Sequence, residues 1–237
     1  MSVDIALIDS GVNAGHSHVG RVAGGLAFHP GPNRRVRLET DFGDSIGHGT
    51  AVAAIIHERA PRARIHALKI FHHALQAPVF VLGAALDWAI NRNIKIIHLS
   101  LGTRDRRGKP RLERLCRLAR DRNLVVIAAA PSAQDPVYPS CLETTIGVYW
   151  HRACGGDRLL YHPDNAVEFG ASGLARPLPG VPPDLNFRGS SFAAARVTAR
   201  AALLLESNPA AGPDWVRERL IASATRVPAP LTKPGPP

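Results

Sequence analysis

Val3-Asp4-Ile5-Ala6-Leu7-Ile8-Asp9-Ser10-Gly11 reads as an apolar strand that ends in an acid and a glycine. A strand with one wet face alternates apolar and polar residues, whereas a strand of a parallel sheet, buried on both faces, is apolar throughout. This stretch is of the second kind. An acid at the carboxyl end of such a strand lies where open α/β sheets place their sites. The alternative is an Asx-turn that simply leads the chain out of the strand. Similar runs recur at Ala63 to Ile70, Lys95 to Ser100, Leu124 to Ala129 and Thr144 to Val148. Helical patterns intervene at Val79 to Asn91 and about Arg111 to Arg122, and an alanine-rich one runs from Ala193 to Glu206. Strand and helix in alternation predict an α/β fold with a mainly parallel central sheet flanked by helices. Residues 12 to 45 are loop-rich, with weak strands around Arg21 to Leu26 and Val36 to Thr40.

With 237 residues the chain is expected to form one domain over residues 1–226. Residues 227–237 hold five prolines and are expected to be an extended or disordered tail. No apolar run approaches the ~20 residues of a membrane span, so no membrane association is expected. Met1-Ser2-Val3-Asp4 leads straight into the first strand without a basic n-region, and the three cysteines (Cys116, Cys141, Cys154) have no CxxC spacing. Both features fit a reducing cytoplasm and give no disulfide framework, zinc site or other metal site. Nothing in the sequence calls for a cofactor.

The net charge is +10, and the segment Arg104 to Arg122, with nine Arg/Lys and three Asp/Glu, supplies six of it. No aromatic residue interleaves with these arginines and no nucleic-acid-binding motif accompanies them, so nucleic acid is not the expected partner. Leu112, Leu115, Cys116 and Ala119 form a helical stripe that leaves the arginines outward, as a solvated face or as a surface for an acidic peptide or protein.

Two further stretches have unusual chemistry. Gly47-His48-Gly49-Thr50-Ala51-Val52-Ala53-Ala54-Ile55-Ile56 opens a small, apolar helix with a histidine between glycines, which allow close backbone approach and an unobstructed ring. Gly189-Ser190-Ser191-Phe192-Ala193-Ala194-Ala195-Arg196 places two serines on the first turn of a helix, beside free backbone N–H groups. Either serine can be a simple cap. With Asp9 and His48 a sharper reading opens: an imidazole takes the serine proton, and a buried carboxylate fixes the imidazole tautomer.

In that order the three contexts resemble the subtilisin-like serine proteases. Ala6-Leu7-Ile8-Asp9-Ser10-Gly11 resembles the family's aspartate motif, and Gly47-His48-Gly49-Thr50 its histidine motif. Gly189-Ser190-Ser191-Phe192-Ala193 resembles the serine motif with two changes. Leu86-Asp87-Trp88-Ala89-Ile90 is similar to a helix of the family, and Ile96 to Gly102 to its substrate-binding strand. The resemblance covers about Val3 to Asn208. It implies a three-layer subtilisin-like fold and a catalytic triad of Asp9, His48 and Ser191. An extended polypeptide substrate would pair with Ser100-Leu101-Gly102, with Ala128-Ala129-Ala130 walling the pocket for the residue before the cut.

The departures are as informative. Where the family has an oxyanion-hole asparagine this chain reads Ala128-Ala129-Ala130-Pro131-Ser132, so Ser132 is expected to complete the hole with the Ser191 backbone N–H. Gln134 is a second possible donor. Loss of such a donor in a subtilisin lowers turnover roughly 100- to 1000-fold. The chain starts just before the aspartate strand and has no loop resembling a calcium site, as expected of a minimal member without a prodomain. Minimal subtilisin-like proteins of this kind trim leader peptides from partner polypeptides. The expectation is therefore a dedicated processing endopeptidase; the alternatives are a peptide-binding pseudoprotease and a basic interaction module.

Overall fold

The computed structural model describes residues 2–182 and 184–227, and the statements below concern those residues. Most of the proline-rich tail expected from the sequence therefore lies outside the described residues. β1 (Asp4–Asp9) is an inner strand of a ten-stranded sheet, parallel to β4 (Arg64–Lys69) on one side and β5 (Ile96–Leu99) on the other. Beyond β5 follow β6 (Val125–Ala130), β7 (Ile146–Trp150) and β9 (Phe169–Ala171), all parallel. Beyond β4 lie β2 (Val22–Pro30), parallel to it, and β3 (Val36–Glu39), antiparallel to β2. Two short strands, β8 (Leu160–Tyr161) and β10 (Thr225–Arg226), finish the other side.

The uninterrupted apolar strands are explained by two separate cores. Ile5 and Leu7 of β1 face a cluster that includes α1 (His48–Arg59), α4 (Ser190–Ser207) and α5 (Pro213–Ser223). Ala6 and Ile8 face a second cluster with α2 (Val79–Asn91) and α3 (Lys109–Asp121). Strand residues alternate between faces, so both parities must be apolar when helices cover both sides. The expected three-layer α/β fold is the one observed.

The boundaries differ where local chemistry outweighs periodicity. α3 starts at Lys109, because Pro110 is tolerated in a first turn whose N–H groups have no helical partner. α4 starts at Ser190, three residues before the alanine run, directly after Gly189 at φ 148°. α5 was not foreseen; only Val216 and Leu220 are buried on it, too few to stand out as an apolar stripe. The basic segment behaves as read: Leu112, Leu115, Cys116 and Ala119 are buried while Arg111, Arg114 and Arg117 are exposed.

The core includes a titratable histidine. His98 of β5 is fully buried, with Nδ1 2.8 Å from Thr198 Oγ1 on α4 and Nε2 2.9 Å from Ser100 Oγ. Burial pushes its pKa down to about 4, with Asp9 opposing and His48 adding to the shift. The native state thus holds His98 neutral at pH values where the unfolded chain, at about 6.5, takes up a proton. The contribution is complete above pH 6.5 and is lost as pH falls toward 4. Over that window it amounts to on the order of 3 kcal/mol, at about 1.4 kcal/mol per pH unit. Denaturant unfolding across the window should show stability falling more steeply for the native chain than for His98→Asn; parallel profiles would refute this account.

Candidate active site

The site forms where β1, β5 and β6 end and where α1 and α4 begin. Asp9, the last residue of β1, is fully buried. Its Oδ1 accepts the Ser10 N–H at 2.6 Å and lies 2.7 Å from His48 Nδ1. Burial alone would raise the Asp9 pKa. The hydrogen bond and charge of His48, the Ser100 side chain and the Ser10 N–H outweigh it, and the pKa is lowered. Burial likewise disfavours a charged His48, but the hydrogen bond and charge of Asp9, aided by Asp44, raise its pKa above the ordinary value.

The glycines around His48 are needed for this contact. Gly47 has φ 86°, a left-handed conformation that turns the chain into α1. A Cβ on Gly49 would lie 2.2 Å from the Gly11 carbonyl oxygen and 3.2 Å from Asp9 Cβ. Only glycine lets α1 approach β1 closely enough for His48 to reach the carboxylate. Gly49 N–H then donates to Ser10 Oγ at 2.9 Å.

Asp44 is a residue that the sequence reading missed. Its Oδ1 accepts from the N–H groups of Ile46 and Gly47, and its Oδ2 accepts from Thr50 N–H at 2.9 Å and Thr50 Oγ1 at 2.7 Å. It closes the start of α1, where no other side-chain cap operates. The available signal was an acid just ahead of a helix start.

The two serines of α4 have different surroundings. Ser190 Oγ accepts the Trp150 N–H at 3.0 Å and so ties the helix start to β7. Ser191 is half-buried, and its hydroxyl donates to the Ser100 carbonyl at 3.2 Å. Among the described residues no hydrogen bond joins it to His48. Its neighbour Phe192 packs against the imidazole, with ring centroids 5.2 Å apart, and Phe187 meets the same ring edge-on at 6.0 Å.

Ser100, Leu101 and Gly102 leave the sheet after β5. Beyond them Thr103 pairs with Tyr138 through two backbone hydrogen bonds of 2.8 Å. Leu101 and Gly102 make no backbone–backbone hydrogen bond among the described residues. Ala128, Ala129 and Ala130 end β6 and are buried, Ala128 on the α2/α3 side and Ala130 beside Val137. Val137 also reaches Gly102, where an added Cβ would lie 2.6 Å from Val137 Cγ2. Ser132 is half-buried just past β6, and Gln134 is exposed. Among the described residues there is no group of three or more side chains suited to hold a metal ion, and no helix is long and apolar enough to cross a membrane.

The sequence profile of the subtilase family matches residues 2–150. Subtilisin E of Bacillus subtilis (strain 168) is 28% identical over 242 aligned residues, which cover 94% of this chain and 61% of that protein. The chain thus spans about three fifths of the length of that relative. Solved structures of the same fold include a lanthipeptide protease, with a TM-score of 0.74 and 22% identity over 96% of this chain and 81% of that one. The prenylagaramide maturation protease PagA has a TM-score of 0.68 and 23% identity over 94% of this chain and 83% of its own. The profile match runs from before Asp9 to the end of β7, more than half of the residues, and the chain belongs to the subtilase family.

Proposed function

We propose that the chain is a serine endopeptidase acting through Asp9, His48 and Ser191, and that it removes a leader or pro-segment from a partner polypeptide. The observation that carries this reading is the 2.7 Å contact between His48 Nδ1 and the fully buried Asp9 carboxylate. It fixes the tautomer that leaves Nε2 free as a base. The Ser191 hydroxyl exchanges its bond to the Ser100 carbonyl for one to Nε2. Its oxygen then attacks the scissile carbonyl carbon while the proton passes to His48, and His48 returns that proton to the leaving amine. Water, deprotonated by the same imidazole, hydrolyses the acyl-enzyme. The raised pKa of His48 means that its basic form is fully available only above the ordinary histidine range.

An extended substrate adds as a strand to the unpaired backbone of Leu101 and Gly102. Leader removal is supported by what two structures of the same fold are called, a lanthipeptide protease and a prenylagaramide maturation protease. The exposed Arg111, Arg114 and Arg117, outside any ion pair among the described residues, suit an acidic stretch of such a partner. A second reading, peptide binding without cleavage, is favoured by the bond of Ser191 to Ser100 and by a serine at position 132.

A fluorophosphonate probe separates the two. The native chain should be labelled and Ser191→Ala should not; a folded but unlabelled native chain refutes the enzyme. If Ser132 donates to the oxyanion, Ser132→Ala should lower kcat by at least about 10-fold with KM little changed. Unchanged turnover removes Ser132 from the hole. Because Val137 fills the space between Gly102 and Ala130, the pocket should accept only a small residue before the cut. Val137→Gly should then raise kcat/KM for substrates with Phe at that position by about 10-fold or more; an unaltered preference would place the pocket elsewhere.

A further inference from the structure

Away from the catalytic cleft, a cavity of about 430 Å³ lies between the end of α1, the middle of α4 and the turn before β8. Arg59, Arg158, Arg196 and Arg200 line it, against two acids, Glu58 and Asp157. Both acids are already engaged. Asp157 pairs with Arg59, and Glu58 pairs with Arg176, which lies outside the cavity. Arg158, Arg196 and Arg200 belong to no ion pair among the described residues.

Arg196 is the most confined of the three. Its Nη1 is divided between the carbonyls of Ser172 and Phe192, both at 3.3 Å, and its buried Nε has no partner among the described residues. Burial and the nearby charge of Arg59 push its pKa down to about 10, against the opposing charge of Glu58. Among the described residues Arg200 donates only to Ser223 Oγ at 3.3 Å and to the Asp157 carbonyl at 3.1 Å. A guanidinium carries five donors matched to the paired oxygens of a phosphate or carboxylate. A half-buried cation outside any ion pair is costly unless an anion completes it. The apolar side chains of Leu159, Val197 and Leu203 line the same space.

We propose that this cavity is a binding site for a small organic polyanion, a compact molecule bearing phosphate or carboxylate groups, held chiefly by Arg196 and Arg200. The volume is that of a metabolite-sized site. Such a ligand would touch the two helices whose first turns carry His48 and Ser191. It would also compete for the Arg196 group that holds the Phe192 carbonyl, one residue past Ser191. The site is thus placed to modulate turnover. That consequence rests on the protease reading, but binding itself does not.

Calorimetric titration of the full chain with inorganic phosphate, pyrophosphate and citrate tests the site without reference to activity. Pyrophosphate or citrate should bind with a dissociation constant of about 1 mM or tighter, and the preferred one identifies phosphate or carboxylate chemistry. Arg196→Gln and Arg200→Gln should each weaken binding about 10-fold, while Arg114→Gln on α3 leaves it unchanged. If Arg196→Gln does not fold, Arg200→Gln and the exposed Arg158→Gln carry the same test. No saturable binding up to about 10 mM, or equal weakening by Arg114→Gln, overturns the proposal. A hexaglutamate peptide that binds more tightly than either small anion and is lost in the same variants overturns it in favour of a polypeptide ligand.

Discussion

A carboxylate with no access to water has to be met by donors or lose its charge, and Asp9 is such a group. Its two close donors are the next residue in the chain and the first residue of α1. That requirement governs the geometry around it. Gly11, at φ 96°, turns the chain so that its carbonyl lies against Gly49, and Gly49 has no Cβ to obstruct α1. Asp44 then meets the free N–H groups at the start of that helix. Behind Asp9, His98 hydrogen-bonds to Ser100 and to Thr198 of α4. The aspartate is therefore tied to the first residue of α1.

The layered architecture explains why these helices arrive together. α1 and α4 cover the same face of the sheet, and both begin at the edge where the parallel strands end. The positive ends of two helix dipoles are thus directed to one place. Adjacent serines divide the work at the second helix. Ser190 anchors the turn to β7 through Trp150, while Ser191 donates to the Ser100 carbonyl.

Much of this was legible from the residues. β1 declared itself through an apolar run at both parities, and α2 was bounded as its apolar pattern suggested. The glycine-flanked histidine stood out by its surroundings, whereas the serine pair also reads as a helix cap until Asp9 and His48 are set beside it. What the sequence concealed depends on long-range contacts. β8, β9 and β10 are two or three residues long and have no period to detect. Asp44 lies in a loop whose role appears only when Thr50 folds back toward it. The neutral state of His98 follows from burial between β5 and α4, whose residues are a hundred positions apart in sequence. The arginine cavity gathers side chains from α1, α4 and a distant turn, none of which forms a local cluster.

The segment after β5 has a thermodynamic consequence of its own. It is fixed at one end by the sheet and at the other by the paired hydrogen bonds between Thr103 and Tyr138. The backbone groups of Leu101 and Gly102 are therefore held in place before any peptide arrives. Association then costs the conformational freedom of the incoming chain alone, since the receiving strand has already lost its own. Main-chain pairing is blind to side-chain identity, so a rigid receiving strand gives affinity without discrimination. On the proposed reading, selection among polypeptides falls to side-chain contacts outside that backbone pairing.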